Sequence, residues 1–561
     1  MAFLSTLSLL GALPLLDSPQ EPGEWTLRYS FDGPVEYGYL GAALAQVGDI
    51  NADGIADIGA GHSPVVGPGR VYMISGADGR RIYEVGPGRG NVTTISALAE
   101  LNGDGYDEFL VSTWDTVRRV VFLHSGVDGT VLLQVTDPQD QSGEDFGDAL
   151  APTADFDGDG WPDFAVGMPR WDEGGTPDRG RVDIYSSADG AQLLRFDGPP
   201  GEISMFGDAL ASGDVNGDGI QDLIVGAPLA HVGGTTSGGS VFLYSGADGS
   251  LLRRIDGPVY NNLAVGAFGL TIAVCGDLDG NGGADIAVAD ARARGPAGRN
   301  AGAVYIHSGE DGSLLKVLLS SEDLSAFGEA VASGGDANGD GIPDILVGAP
   351  EAILGSWQDT GQAFVYSGAD ASLLYSVYGE TARDGFGSAV AFGGDGDGDG
   401  TDDIVVSAPV ADPGALSWAG SVYAFGYNPF LWAGDGEVSI AAHDTVVLNL
   451  DFPDSAAGES WMLLLSATGQ GPVTRQGLTL PLTPDALLQR TLAGDYSMLG
   501  AGSQGMTGVL DPDGDGQILL DFPPGAPPVA PGSRFYAAVL TLDAFGQPAH
   551  VSASVTLTVV P

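Results

Sequence analysis

One nine-residue pattern, with acidic or amide side chains at alternate positions and glycines between them, recurs seven times in the first three quarters of the chain. The copies are DINADGIAD from Asp49, ELNGDGYDE from Glu100, DFDGDGWPD from Asp155, DVNGDGIQD from Asp214, DLDGNGGAD from Asp277, DANGDGIPD from Asp336 and DGDGDGTDD from Asp395. Their starts lie 51, 55, 59, 63, 59 and 59 residues apart. Self-similarity at such a period is the mark of a repeat architecture, in which each unit buries its apolar surface against its neighbours.

Every unit follows one template. An apolar stretch such as FGDALASG enters the acidic loop, an apolar run such as LIVGAP leaves it, and a Gly-rich connection follows. SVFLYSGADGSLLRRIDGP then supplies two alternating runs around a Gly-containing turn. Four short antiparallel strands per unit, repeated seven times, predict an all-β fold, a seven-bladed β-propeller of four-stranded blades that leaves only short sheet edges. The turn of the type SG-x-DG occurs six times, near Ser75, Ser125, Ser187, Ser245, Ser308 and Ser367, and is missing after SVYAFGYNPF at 421–430. WTLRYSFDGP from Trp25 matches LLRRIDGP from Leu251 and has no blade of its own. Residues 25–33 are therefore expected to supply the outer strand of blade seven, bounding a propeller over 25–426.

The loops suit a hard divalent cation. Ca²⁺ takes six to eight oxygen ligands, and in a tight loop the side chains at positions 1, 3 and 5, the carbonyl at 7 and the acid at 9 can face one point, with Gly at 6 allowing the turn. The expected ligand sets are Asp49, Asn51, Asp53, Ile55 and Asp57; Glu100, Asn102, Asp104, Tyr106 and Glu108; Asp155, Asp157, Asp159, Trp161 and Asp163; Asp214, Asn216, Asp218, Ile220 and Asp222; Asp277, Asp279, Asn281, Gly283 and Asp285; Asp336, Asn338, Asp340, Ile342 and Asp344; and Asp395, Asp397, Asp399, Thr401 and Asp403. This allows up to seven calcium ions, one per blade. The loops from Asp155 and Asp395 carry four carboxylates at positions 1, 3, 5 and 9 and are expected to bind most tightly, whereas the loop from Asp277, with Asn281 at position 5 and Gly283 at 7, should bind most weakly. Position 12 is Ala60, Val111, Val166, Val225, Val288, Val347 or Val406, inside an apolar run, where an EF-hand needs Glu. An eighth look-alike from Asp511 has Leu519 at position 9 and reads as a plain turn.

The overall balance agrees. Lys and Arg number 21 against 74 Asp and Glu, a formal charge of −53, which repels nucleic acid and anionic membranes and invites cations. At millimolar-range affinity, calcium at twice its dissociation constant contributes about 0.65 kcal/mol per site, or roughly 4 to 5 kcal/mol over seven sites, comparable with a whole folding free energy.

These residues resemble the FG-GAP repeats of the integrin α-subunit N-terminal propeller and related secreted proteins. FG stands at Phe146, Phe206, Phe268, Phe327 and Phe386, and GAP at Gly226 to Pro228 and Gly348 to Pro350, with GMP from 167 and SAP from 407. Blade one departs with Leu40-Gly41 and GHSP, and blade two, with Asn91 and STW, lacks both ends. The resemblance covers about residues 25–426. It implies calcium in the hairpins between strands one and two, a secreted or cell-surface location, and adhesion.

The connections between strands two and three lie on the opposite face. Trp171, Trp357 and Trp418 fall in them, Trp114 takes the matching place in blade two, and Arg292, Arg294 and Arg299 crowd one loop. Trp114, Trp171, Arg292, Arg294, Trp357 and Trp418 form the expected ligand face for a protein or glycan partner, the alternative being that each ring packs over its own blade. The six histidines, at 62, 124, 231, 307, 443 and 550, have no metal-ligand spacing, and His124 and His307 occupy the repeat position of Tyr244. No nucleophile elbow occurs, so the expectation is a non-enzymatic binding scaffold. The propeller of a calcium-assisted polysaccharide lyase or phospholipase-like enzyme, or a purely structural surface protein, are the alternatives.

Residues 1–20, with an apolar run from Phe3 to Leu16, are expected to be a signal peptide, and no other stretch is long and apolar enough to be transmembrane. The lone Cys275 reads as a buried hydrophobe. From 428 to 561 the repeat stops, and strands such as DTVVLNLDF and RFYAAVLTLD predict an Ig-like β-sandwich.

Overall fold

The computed structural model describes residues 24–426 except 87–89, 102, 115–118, 138–144, 174, 234–237, 259–266, 294–299, 321–324, 353–359, 380, 397, 399 and 415, together with strand backbones between 427 and 560. The expected signal peptide lies outside the described residues. Residues 27–426 form one compact unit, and the chain from Tyr427 belongs to a second.

The first unit is a seven-bladed propeller in which every blade is a four-stranded antiparallel sheet. Blade four is typical: Leu210–Gly213, Asp222–Ala227, Ser240–Tyr244 and Leu251–Asp256 pair in that order. The second strands are buried along their length, Trp114 at the end of Glu108–Trp114 excepted, because both faces meet other blades, which is why LIVGA and its counterparts are apolar without alternation. The fourth strands alternate toward their ends, with Ile255 buried between exposed Arg254 and Asp256. Each innermost strand packs against the next, and the last, Val390–Gly394, packs against the first, Leu44–Gln46, so the ring closes. The apolar core lies between blades. One cluster joins Val215, Ile224, Val241 and Ile255 of blade four to Phe268, Ile286 and Val288 of blade five. Another joins Val405, Val422 and Ala424 of blade seven to Leu40, Ile58 and Tyr72 of blade one.

Blade seven is built from both ends of the propeller segment: Glu24–Asp32 is its outer strand, hydrogen-bonded to Ser421–Asn428, followed inward by Asp403–Ala408 and Val390–Gly394. The seam is sealed by backbone bonds from Gly33 to Gly420 at 2.8 Å and from Leu40 to Ala419 at 2.9 Å.

In the second unit, Leu431–Ala433, Asp444–Asp451 and Asp515–Phe522 form one sheet, and a larger sheet is centred on Ser460–Ser466 and Arg534–Leu542. Among the described strands, pairing is antiparallel except between Glu437–Ser439 and Val555–Val560. Asp515, at position 5 of the eighth look-alike, already lies in a strand.

Candidate metal loops and the opposite face

All seven acidic loops connect the first and second strands of their blades and so gather at one end of the ring. Inside each, carboxylates fold the backbone around themselves. In blade three, Asp155 Oδ1 accepts the amide hydrogens of Gly158 (2.7 Å) and Asp159 (3.2 Å), and its Oδ2 that of Gly160 (2.8 Å). Asp157 accepts from Asp159 at 3.1 Å and Asp159 from Trp161 at 2.8 Å. The same ladder runs through Asp214, Asn216 and Asp218 to Ile220, and through Asp336, Asn338 and Asp340 to Ile342. Gly158 and Gly160 have φ of +78° and +98°, a region that side chains rarely adopt. The result is that oxygens of Asp155, Asp157 and Asp159 lie within 4.8 Å of one another, as do those of Asp277, Asp279 and Asp285. Slight burial pushes the Asp155 carboxyl up, but the amide hydrogens of Gly160, Gly158 and Asp159 outweigh it and hold the group below its usual range. An oxygen-only donor set of this kind fits a hard divalent cation.

The ninth residue plays a second part that its spacing did not reveal. Asp57, Glu108, Asp163, Asp222, Asp285, Asp344 and Asp403 are all buried. One oxygen of Asp222 accepts the Val215 amide at 3.1 Å, and the other accepts the Gly246 amide at 2.9 Å from the turn between strands three and four. Asp57 bridges Ile50 and Gly76 in the same way, and Asp344 bridges Ala337 and Gly368. The turn glycine is needed because a Cβ on Gly246 would stand 2.0 Å from the Gln221 carbonyl oxygen. The SG-x-DG motif is thus the surface on which the acidic loop rests. Burial pushes the Asp57, Glu108 and Asp344 carboxyls up to about 7, and Asp163 and Asp285 to about 6, against partial relief from those amides. Nearby loop carboxylates add to the rise.

In the loop from Asp277, the Asn281 Nδ2 donates to Asp279 at 3.0 Å and to Ser308 Oγ at 2.9 Å, which puts a donor where the other loops offer an acceptor. Asn102, Asp397 and Asp399 lie outside the described residues. In blade seven a residue absent from every expected set enters: Arg28, on the outer strand, pairs through Nη1 with Asp403 Oδ2, and its Nη2 donates to the Ala77 carbonyl of blade one at 3.0 Å. Its only signal in the sequence is that it is the first cation of the chain.

The end opposite the acidic loops separates the candidate ligand residues. Trp171 is 4% exposed, lies beneath the Arg181 guanidinium at 3.6 Å from its ring centroid, and belongs to the core between blades two and three. Arg181 is held by Asp197 at 2.9 Å, so this ring packs rather than faces solvent. Trp114 and Trp418 are 50% and 45% exposed. Trp418 meets Tyr37 edge-on at 5.6 Å and Tyr39 at 6.1 Å, and the three residues have φ of +52°, +55° and +49° respectively. Val35, Val65 and Val66 are exposed along the same stretches of chain. The Arg292 amide donates to buried Asp290, while Arg294, Arg299 and Trp357 lie outside the described residues. Arg119 pairs with Asp145 and Asp148, and burial together with Asp148 pushes Asp208 up to about 7. The histidines at 124 and 307 donate from Nδ1 to the turn carbonyls of Gly129 and Gly312, a strand-end structural role. No helix among the described residues is long and apolar enough to cross a membrane.

Comparison with known proteins agrees with this geometry. The FG-GAP repeat family matches residues 146–185, 206–244 and 327–366, each running from the FG phenylalanine to the end of the third strand. Integrin alpha-5 of Xenopus laevis is 35% identical over 217 residues, covering 36% of this chain and 20% of that protein. Integrin alpha-PS2 of Drosophila melanogaster is 37% identical over 214 residues, 35% of this chain and 15% of its own length. Integrin alpha-4 of Xenopus laevis is 34% identical over 191 residues, 31% of this chain and 18% of its own. The chain thus spans at most a fifth of the length of these relatives. The fold, the motifs and these similarities together identify residues 27–426 as an integrin-like FG-GAP β-propeller.

Proposed function

We propose that the propeller is a calcium-stabilised extracellular binding scaffold, without catalytic activity, that holds a protein or glycan ligand, in adhesion, on the end of the ring opposite its acidic loops. The loops would take the cation through positions 1, 3 and 5, the carbonyl at 7 and the acid at 9, as in Asp155, Asp157, Asp159, Trp161 and Asp163. Support comes from the oxygen-only chemistry of the loops and from the convergence of their carboxylates. Calcium at these hairpins would rigidify the blades and leave the other end free for recognition.

The observation that carries the ligand face is the cluster of exposed Tyr37 and Trp418 with half-buried Tyr39, held in left-handed backbone at the junction of blades seven and one. Three large aromatic residues in that conformation cost of order 1–3 kcal/mol each, strain that surrounding structure must offset and that clusters at binding sites. Aromatic rings of this kind supply rigid contact area to protein and sugar surfaces. The test is a protein and glycan array probed with the full chain in Ca²⁺ and in EDTA, and with Trp418→Ala. Calcium-dependent binding that the variant loses supports the reading, and binding indifferent to both would refute it.

A further inference from the structure

We propose that Arg28 is the resident cation of the seventh acidic loop: by pairing with Asp403 it fastens the strand that closes the ring and leaves the loop from Asp395 a much weaker divalent-cation site than its siblings. The proposal deepens the reading of the loops as cation sites and rests on it.

The reason lies in how blade seven is assembled. In blades one, three, four, five and six, the second oxygen of the ninth carboxylate accepts an amide hydrogen from the turn between strands three and four, donated by Gly76, Ser187, Gly246, Gly309 and Gly368. Blade seven has no such turn, because its fourth strand arrives from the other end of the propeller segment. Asp403 Oδ2 keeps its loop donor, the Gly396 amide at 3.0 Å, and the same oxygen pairs with Arg28 Nη1. At the equivalent register of the other outer strands stand Ile82, Leu132, Leu193, Leu252, Leu315 and Leu374. A guanidinium replaces the aliphatic residue at this position only in blade seven, the blade whose outer strand does not follow from its third.

The substitution changes the charge as well as the hydrogen bond. An amide dipole leaves the ninth carboxylate its full negative charge for a metal ion. A guanidinium neutralises it and fixes a positive charge beside the ion's position. Arg28 is partly buried and Asp403 buried, 14% and 3% exposed, so solvent screens the repulsion poorly. A divalent ion in the Asp395 loop would therefore bind at least about tenfold more weakly than in the Asp155 loop. Counting carboxylates ranks these two loops together, whereas the Arg28 contact sets them apart. Arg28 also reaches the Ala77 carbonyl, so a permanent charge ties blade seven to blade one whether or not metal is present.

Equilibrium dialysis against calcium, with the bound ion counted by mass spectrometry, tests this on the full chain. Asp155→Asn should lose one tightly bound ion, and Asp395→Asn should lose none, since its loop is not among the tight sites. Arg28→Leu should gain one. Should Arg28→Leu fail to fold, the contrast between the two loop variants still decides. If Asp395→Asn also loses one tight ion, Arg28 does not suppress the seventh site and the proposal falls while the loops remain cation sites. If no ion binds to the unaltered protein, the reading of the loops themselves falls and the proposal with it.

Discussion

Gly302, in blade five, lies against Phe327, the FG phenylalanine that opens blade six. Its φ is +86°, and a Cβ there would stand 2.0 Å from the Phe327 carbonyl oxygen. Gly180 with Phe206, Gly239 with Phe268, Gly361 with Phe386 and, across the seam, Gly420 with Leu40 repeat the approach. Blade-to-blade docking is thus a backbone contact that tolerates no side chain. Gly302→Ala should destabilise the propeller by about 3 kcal/mol or more, since left-handed strain adds to a backbone clash. Gly201→Ala, with φ of +76° but nothing within 4 Å, should cost only about 1 kcal/mol, and denaturant melts of the two variants measure the difference.

Calcium and pH should act on the same buried acids. Asp57 and Asp344, ordinarily near 3.8, and Glu108, ordinarily near 4.5, are raised to about 7, so without metal the native state binds more protons than the unfolded chain between those limits. Their contribution is fully present below the unfolded values and is lost as pH rises through the folded ones. In EDTA the melting temperature should therefore fall from pH 5 to pH 7.5. Millimolar Ca²⁺ should flatten that slope and restore stability at pH 7.5, and Mg²⁺ should do so less well. Identical melting with and without EDTA at pH 7.5 would contradict a structural role for calcium.

The two kinds of tryptophan should separate cleanly. Trp171→Ala removes a buried ring from beneath Arg181 and should cost about 3–5 kcal/mol. Trp418→Ala, at a half-exposed ring, should shift stability by about 1 kcal/mol or less while abolishing ligand binding. Calorimetry alongside the array compares the two.

Deleting residues 24–33 removes the outer strand of blade seven, with Arg28 and the Gly33 to Gly420 bond. The expected outcome is loss of the single cooperative melt and early proteolysis near the seam. A shortened chain that melts like the whole one would mean the ring does not depend on this strand.

The sequence by itself determined the seven blades, their four-stranded sheets and the positions of the acidic loops, because those patterns are local: alternation, turn glycines and loop carboxylates act within a single repeat of about 60 residues. The convergence of Asp155, Asp157 and Asp159 follows from hydrogen bonds spanning two to five residues, so spacing alone anticipates it. Tertiary structure decided what depends on distant chain. Trp171 and Trp418 occupy like connections, and only the placement of Arg181 and Asp197 buries one, while Tyr37 and Tyr39 of the neighbouring blade meet the other. In blades one, three, four, five and six the second bond of the ninth carboxylate goes to a turn 19 or 24 residues onward, which no loop motif encodes. Arg28 and Asp403 stand 375 residues apart, and they meet because closing a ring brings the first strand beside the last.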